Sequence, residues 1–136
     1  MVAVDTNVLV RLLTGDDPTQ AAVARALFET GPVWIAKTVL LETSWVLQSL
    51  YDFNEIAVGE AFKKLLGLRN VQVEDEAAII AALLLTTGHG LELADAIHLS
   101  SRPHGVTFAT FDRPFAKRAQ RAGAVGVSGL PGKREG

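Results

Sequence analysis

Four carboxylates stand in surroundings that a solvated acid would not choose. Asp5 sits where the apolar run Val2-Ala3-Val4 gives way to Asp5-Thr6-Asn7 and then Val8-Leu9-Val10-Arg11-Leu12-Leu13. A carboxylate at the carboxyl end of a buried strand, just as a helix begins, occupies the place where open α/β sheets build their active sites. Glu42 is embedded in Val39-Leu40-Leu41-Glu42-Thr43-Ser44-Trp45-Val46, Asp95 in Leu93-Ala94-Asp95-Ala96-Ile97, and Asp112 follows Val106-Thr107-Phe108-Ala109-Thr110-Phe111. On a helix Glu42 shares a face with Val39, Trp45 and Val46, which points it toward the core, and Asp95 lies one turn from Leu99. A carboxylate buried without a cation costs several kcal/mol, and no Lys or Arg is suitably spaced near Glu42 or Asp95. Four such acids ask for a common partner. An all-oxygen donor set suits Mg²⁺ or Mn²⁺, which keep waters for a substrate to displace, and the chemistry expected of it is water attack on a phosphodiester. Asp5 and Asp112 also have a plainer reading as N-caps, since each directly precedes a helix.

The elements that must position these acids follow from hydrophobic period. Short apolar or β-branched runs at Val2–Val4, Val33–Ala36, Val71–Val73, Val106–Ala109 and Val125–Val127 read as strands, with helical patterns between them. Asp17 and Pro18 read as N-cap and first turn of a helix through Phe28, closed by Gly31-Pro32. Thr38 is placed to cap the helix that carries Glu42, Asn54 another, and Asp75 opens an almost wholly apolar one through Leu85, broken at Gly88-His89-Gly90. Leu93–Ser101 forms the next helix, and Asp112 starts the last, which Gly123 ends. Strands alternating with helices predict an α/β fold, three layers with a central parallel sheet of about five strands flanked by helices. In a doubly wound order Asp5 and Asp112 would leave the carboxyl ends of neighbouring central strands. One domain over residues 1–136 is expected, with residues 128–136 fraying as a tail.

Composition narrows the classes. The chain has 136 residues, 49% of them hydrophobic, and no cysteine, which excludes disulfides, thiolate catalysis and cysteine-held zinc. The longest apolar run, Ala77 to Leu85, is far short of the ~20 residues a membrane span needs, and no signal peptide fits before Val2, so a soluble cytoplasmic protein is expected. A mean hydropathy of +0.25 suggests apolar surface covered by another chain, and hence a homodimer. The net charge of −2 conceals an asymmetry: residues 1–101 carry six Lys or Arg against thirteen Asp or Glu, while residues 102–136 carry seven against two. A basic ribbon beside an acidic centre could track a phosphate backbone, and Arg113, Lys117 and Arg121 recur at intervals of four as one helical stripe. The bland alternative is a solvated helix. Trp34, Trp45 and the six phenylalanines read as core packing rather than base-stacking platforms. His98, three residues after Asp95, could contact the site but reads rather as a packed or hydrogen-bonded histidine, and His89 and His104 read as loop residues.

Taken together, Asp5-Thr6-Asn7, Leu41-Glu42, Ala94-Asp95-Ala96-Ile97-His98-Leu99 and Thr110-Phe111-Asp112-Arg113-Pro114-Phe115 give a sequence that resembles the PIN-domain nucleases, specifically the VapC-type ribonuclease toxins, over nearly the whole chain. The resemblance implies that Asp5, Glu42, Asp95 and Asp112 bind metal and carry hydrolysis of RNA. It implies too that Asn7 and Thr110 support those carboxylates, and that a small antitoxin encoded alongside restrains the enzyme. A cationic side chain of that partner, an arginine above all, could enter the acidic crevice. Glu92, three residues before Asp95, is a candidate accessory ligand, and Thr6 reads as a local hydrogen-bonding residue. Pro114 stands where some relatives have a further acid, which bears on a second metal ion. Two rivals remain. A haloacid-dehalogenase-like phosphatase also places a nucleophilic Asp after its first strand, but wants a second Asp where this chain has Asn7. A catalytically silent partner-binding domain would have no use for four carboxylates that repel one another.

Overall fold

The computed structural model describes residues 1–132. Along the chain run β1 (Val2–Ala3), α1 (Thr6–Thr14), α2 (Pro18–Thr30), β2 (Val33–Ile35), α3 (Lys37–Leu50), α4 (Glu55–Leu66), β3 (Val71–Val73), α5 (Glu76–His89), α6 (Leu93–Ser100), β4 (Phe108–Thr110), α7 (Arg113–Arg121) and β5 (Val127–Gly129). Several helices begin where a short polar side chain can satisfy an orphan amide. Asp5 accepts from the Val8 amide at 3.2 Å, Asp17 from Gln20 at 3.1 Å, Asn54 from Ala57 at 2.8 Å and Asp112 from Phe115 at 3.0 Å. Each such cap stabilises its helix by about 1 kcal/mol.

One helix start departs from expectation. The N-cap of α3 is Ala36, not Thr38, whereas Asp75 opens α5 as expected, from a left-handed conformation (φ 54°). The acids that end β3 serve α3 instead. Glu74 accepts the Lys37 amide at 2.8 Å, and Asp75 pairs with the Lys37 ammonium at 2.8 Å. Thr38 is therefore not needed as a cap.

The sheet also departs from expectation. β1, β2 and β3 form a parallel three-stranded sheet in that order, while β4 and β5 form a separate parallel pair. The single five-stranded sheet is thus divided, and no ladder joins the strands before Asp5 and Asp112. β1 is only two residues long before α1 begins, and both are exposed, so it offers little ladder to a second neighbour and is not the buried strand expected. β4 and β5 start two residues later than the apolar runs suggest. Arg102 binds the chain just ahead of both strands: its guanidinium donates to the carbonyls of Val106 (2.9 Å), Gly126 (3.1 Å) and Val125, and Gly126 shares its carbonyl with the Phe108 amide (2.9 Å) where the ladder begins. β5 in turn takes in Ser128 and Gly129, and the Leu130 amide donates to Thr110 at 2.7 Å, so the start of the expected tail is paired strand. Residues 133–136 of that tail lie outside the described residues.

The core lies where β2 meets the inner faces of the helices. Leu9, Val33, Ile35, Leu40, Leu47, Phe62, Ile79, Leu91 and Ile97 are fully or almost fully buried. Phe108 and Phe115, ring centres 6.1 Å apart, anchor α7 to β4. Among the described residues no helix is long and apolar enough to cross a membrane.

Candidate active site

The carboxyl ends of β1 and β4 deliver two of the acids. Asp5 follows β1 and caps α1, and its side chain is exposed. Asp112 follows β4 and caps α7, where its amide donates to the Thr110 hydroxyl at 3.0 Å, so Thr110 shapes the turn that presents it. Because a carboxylate accepts at about four lone-pair sites, one capping bond leaves each of them acceptor capacity for a ligand.

Glu42 does not point to the core. The buried stripe of α3 is Leu40, Thr43, Ser44 and Leu47, and Glu42 lies with Trp45 on the exposed side. The helix is apolar over so much of its circumference that period alone chose the wrong face. Glu42 is nonetheless fixed, because the buried Thr6 hydroxyl donates to its Oε1 across the packed helices α1 and α3. Thr6 is thereby a cross-helix tie rather than a local one. A buried hydroxyl between two exposed polar neighbours was the signal for it.

Asp95 and Glu92 form the other half. Both are half-buried, Asp95 in the first turn of α6 and Glu92 at its start. Burial pushes the Asp95 carboxyl above its usual range, the charge of Asp112 pushes it further, and His98 pulls the other way. Glu92 is raised by burial, then by Asp95, Glu55 and Asp112, again opposed by His98. These couplings bring Asp112 into the neighbourhood of α6. They also reveal Glu55, the first residue of α4, which the sequence presents only as an acid well placed in a helix's first turn. His98 is exposed rather than packed.

The donor chemistry suits a hard divalent cation, and such a cation would offset both the burial and the like-charge repulsion that raise Asp95 and Glu92. No ion pair among the described residues involves Asp5, Glu42, Asp95 or Asp112. Placement is less complete than chemistry, since among the described residues no three His, Asp or Glu stand close enough to hold a metal ion. The acids fall into two parts: Asp5 and Glu42 around α1 and α3, with Thr6 between them, and Glu92, Asp95 and Asp112 around α6 and the start of α7.

Asn7 is exposed and lines a groove with Asp5. Arg113, Lys117 and Arg121 occupy the exposed face of α7, opposite Phe115, Ala116 and Ala119. Arg113 is partly engaged, for its Nε donates to the Leu130 carbonyl at 3.3 Å. Trp45 (49% exposed) and Phe111 (72%) depart from the core-packing expectation, whereas Phe28, Phe62 and Phe115 follow it. The family model for the PIN domain matches residues 2–120. The comparison with curated proteins gives no match.

Proposed function

The chain belongs to the PIN domain family, a nuclease-type fold, and on that premise we propose that it is a Mg²⁺- or Mn²⁺-dependent endoribonuclease acting as the toxin of a toxin–antitoxin pair. The observation that carries this reading is the half-buried pair Glu92 and Asp95 on α6, each raised first by burial and then by neighbouring acids, Asp112 among them, with no Lys or Arg among the causes. Asp5, Glu42, Asp95 and Asp112 would hold the ion, with Glu92 as an accessory ligand. Such an ion supplies charge to the phosphoryl group under attack and makes water a better nucleophile near neutral pH. Family membership also displaces the dehalogenase-like alternative.

The chain's own residues do the rest. Thr6 holds the Glu42 carboxylate in one orientation, Thr110 shapes the Asp112 turn, and Asn7 stands beside Asp5 where it can bond to a substrate oxygen. Lys117 and Arg121, with Arg113, give the RNA backbone a cationic track along α7. The protein acts in the cytoplasm as a homodimer, in keeping with exposed apolar side chains such as Ile80 and Leu84 on α5. Its antitoxin inhibits by inserting an arginine, whose planar fork pairs with carboxylates and competes with metal or RNA.

The test is cleavage of total cellular RNA with the ends mapped, in Mg²⁺, in Mn²⁺ and in EDTA. Cleavage that needs metal and is lost in Asp5→Asn is expected. Full activity in EDTA would overturn the enzyme reading, and no cleavage in any metal would leave a partner-binding PIN domain. Expression alone should arrest growth, with relief by Asp5→Asn. Harmless high-level expression of an active enzyme would remove the toxin role while leaving the nuclease.

A further inference from the structure

A groove of about 350 Å³ runs between α1 and α2, and Asp5 and Asn7 of the candidate active site share its lining. Gly15, in the left-handed conformation (φ 66°), ends α1 and lets α2 fold back along it. The apolar wall comes from Val8 on α1 and from Val23 and Leu27 on α2, and Val23 is 68% exposed although it is flanked by helix. From Asp5 to Arg11 is six residues, or about 9 Å along a helix axis, so the two ends of the groove lie within a few nucleotides of one another on a bound strand.

At that distance from Asp5 the polar residues are locked. Arg11 Nη1 donates to both Asp16 oxygens (2.9 and 3.1 Å), and Tyr51 donates to Asp16 from the end of α3. Arg11 Nε then donates to Gln20 Oε1 at 2.7 Å. Because a guanidinium only donates, the Gln20 atom facing it must be the carbonyl oxygen. The amide NH₂ is therefore turned away from Arg11 and left for a ligand in the groove that Gln20 lines. An unstacked base of single-stranded RNA is read by hydrogen bonds to its edge, and here a fixed donor stands beside an aliphatic wall that can cover the base.

We propose that this groove is a nucleobase subsite, in which the Gln20 amide selects a base edge carrying a carbonyl oxygen, at a nucleotide flanking the scissile phosphate. The subsite rests on the nuclease reading above. It favours uracil and guanine, whose O4 and O6 accept, over cytosine and adenine, which present an amino donor at the same place. Gln20→Ala removes the donor. Gln20→Glu keeps the contact with Arg11 but offers a second acceptor oxygen, which suits an amino edge instead.

The experiment incubates the full chain, with Mn²⁺ or Mg²⁺, with a pool of randomised single-stranded oligoribonucleotides, and reads the ratio of keto to amino bases at each position flanking the cut. At one position the wild type should favour keto bases about tenfold, the lower part of what a well-placed base contact discriminates. Gln20→Ala should flatten the ratio and Gln20→Glu invert it. In parallel, fluorescence anisotropy in EDTA compares binding of uridine-rich and adenosine-rich oligonucleotides. Cleavage by all three proteins with one unchanged ratio overturns the subsite and spares the nuclease. No cleavage by the wild type, with a binding preference that Gln20→Glu inverts, overturns the nuclease and leaves the subsite. A Val23→Asp variant that cleaves with the wild-type ratio also overturns the subsite and leaves the groove to a protein partner.

Discussion

Asp16 and Asp95 answer their surroundings in opposite directions. Asp16 is held below the usual carboxylate range, first by the Tyr51 hydroxyl and then by Thr14 and Arg11. Asp95 is raised, first by burial and then by the charge of Asp112. The same contrast recurs between Asp75, lowered by Lys37, and Glu92, raised among other acids. At Asp16 and at Asp75 the carboxylate has met a cation inside the chain, so these side chains are pinned as scaffold. At Asp95 and Glu92 the acids meet one another, and what would complete them must come from outside. The difference separates the part of the molecule that orients groups from the part proposed to do chemistry.

The largest effect that could break this contrast is catalytic. Asp95→Asn or Asp112→Asn should lower RNA cleavage about 10³-fold, the several kcal/mol that a divalent ion contributes in the transition state. Thermal melts of the same variants in EDTA should show Tm at or above the wild type, because a repulsion has been removed. Unimpaired cleavage would show that these acids are ordinary surface groups.

Next comes the tie between α1 and α3. Thr6→Val keeps the buried shape but leaves Glu42 without its donor, and should weaken the apparent Mn²⁺ affinity of cleavage about 10- to 100-fold. Thr6→Ser should restore it. A Thr6→Val enzyme with unchanged metal dependence would reduce the bond to a packing detail.

The two regions should also titrate with opposite sign. Asp16 and Asp75 have folded pKa values below the unfolded value of about 3.9, so their stabilisation is present above that pH and lost as pH falls through the folded values. Asp95 and Glu92 have folded values above their unfolded ones, so the folded chain binds protons more readily and its stability declines as pH rises through that raised window. Urea melts from about pH 3 to pH 7 in EDTA should show both limbs. Asp16→Asn should flatten the lower and Asp95→Asn the upper.

The smallest effect tests the paired side alone. Lys37→Met removes one partly exposed ion pair with Asp75 and should lower the midpoint of the same melts only slightly, and less at high salt. A much larger loss would mean that Lys37 also secures the end of α6 through its 3.0 Å bond to Ser101.

Much of this molecule is legible one turn at a time. Asp5, Asp17, Asn54 and Asp112 mark helix starts because a cap reaches only two or three residues along the chain. The parallel α/β character follows equally locally, from apolar strand runs alternating with helical period. The four acids were conspicuous for the same reason, each being a carboxylate among apolar neighbours. Other features needed the folded chain. That Glu42 faces outward yet is gripped by Thr6, 36 residues away, depends on how α1 packs on α3. The approach of Glu55 to Glu92 depends on how α4 meets α6, and the division of the sheet on a strand too short to bond on both sides. The orientation of the Gln20 amide depends on an arginine from the neighbouring helix. Local patterns mark where elements begin and which residue types they carry, since capping and hydrophobic period act within a turn or two, but on a helix as widely apolar as α3 they do not settle which face turns inward. The angles between elements are decided only when distant side chains pack together, and those angles determine which lone acids become a site.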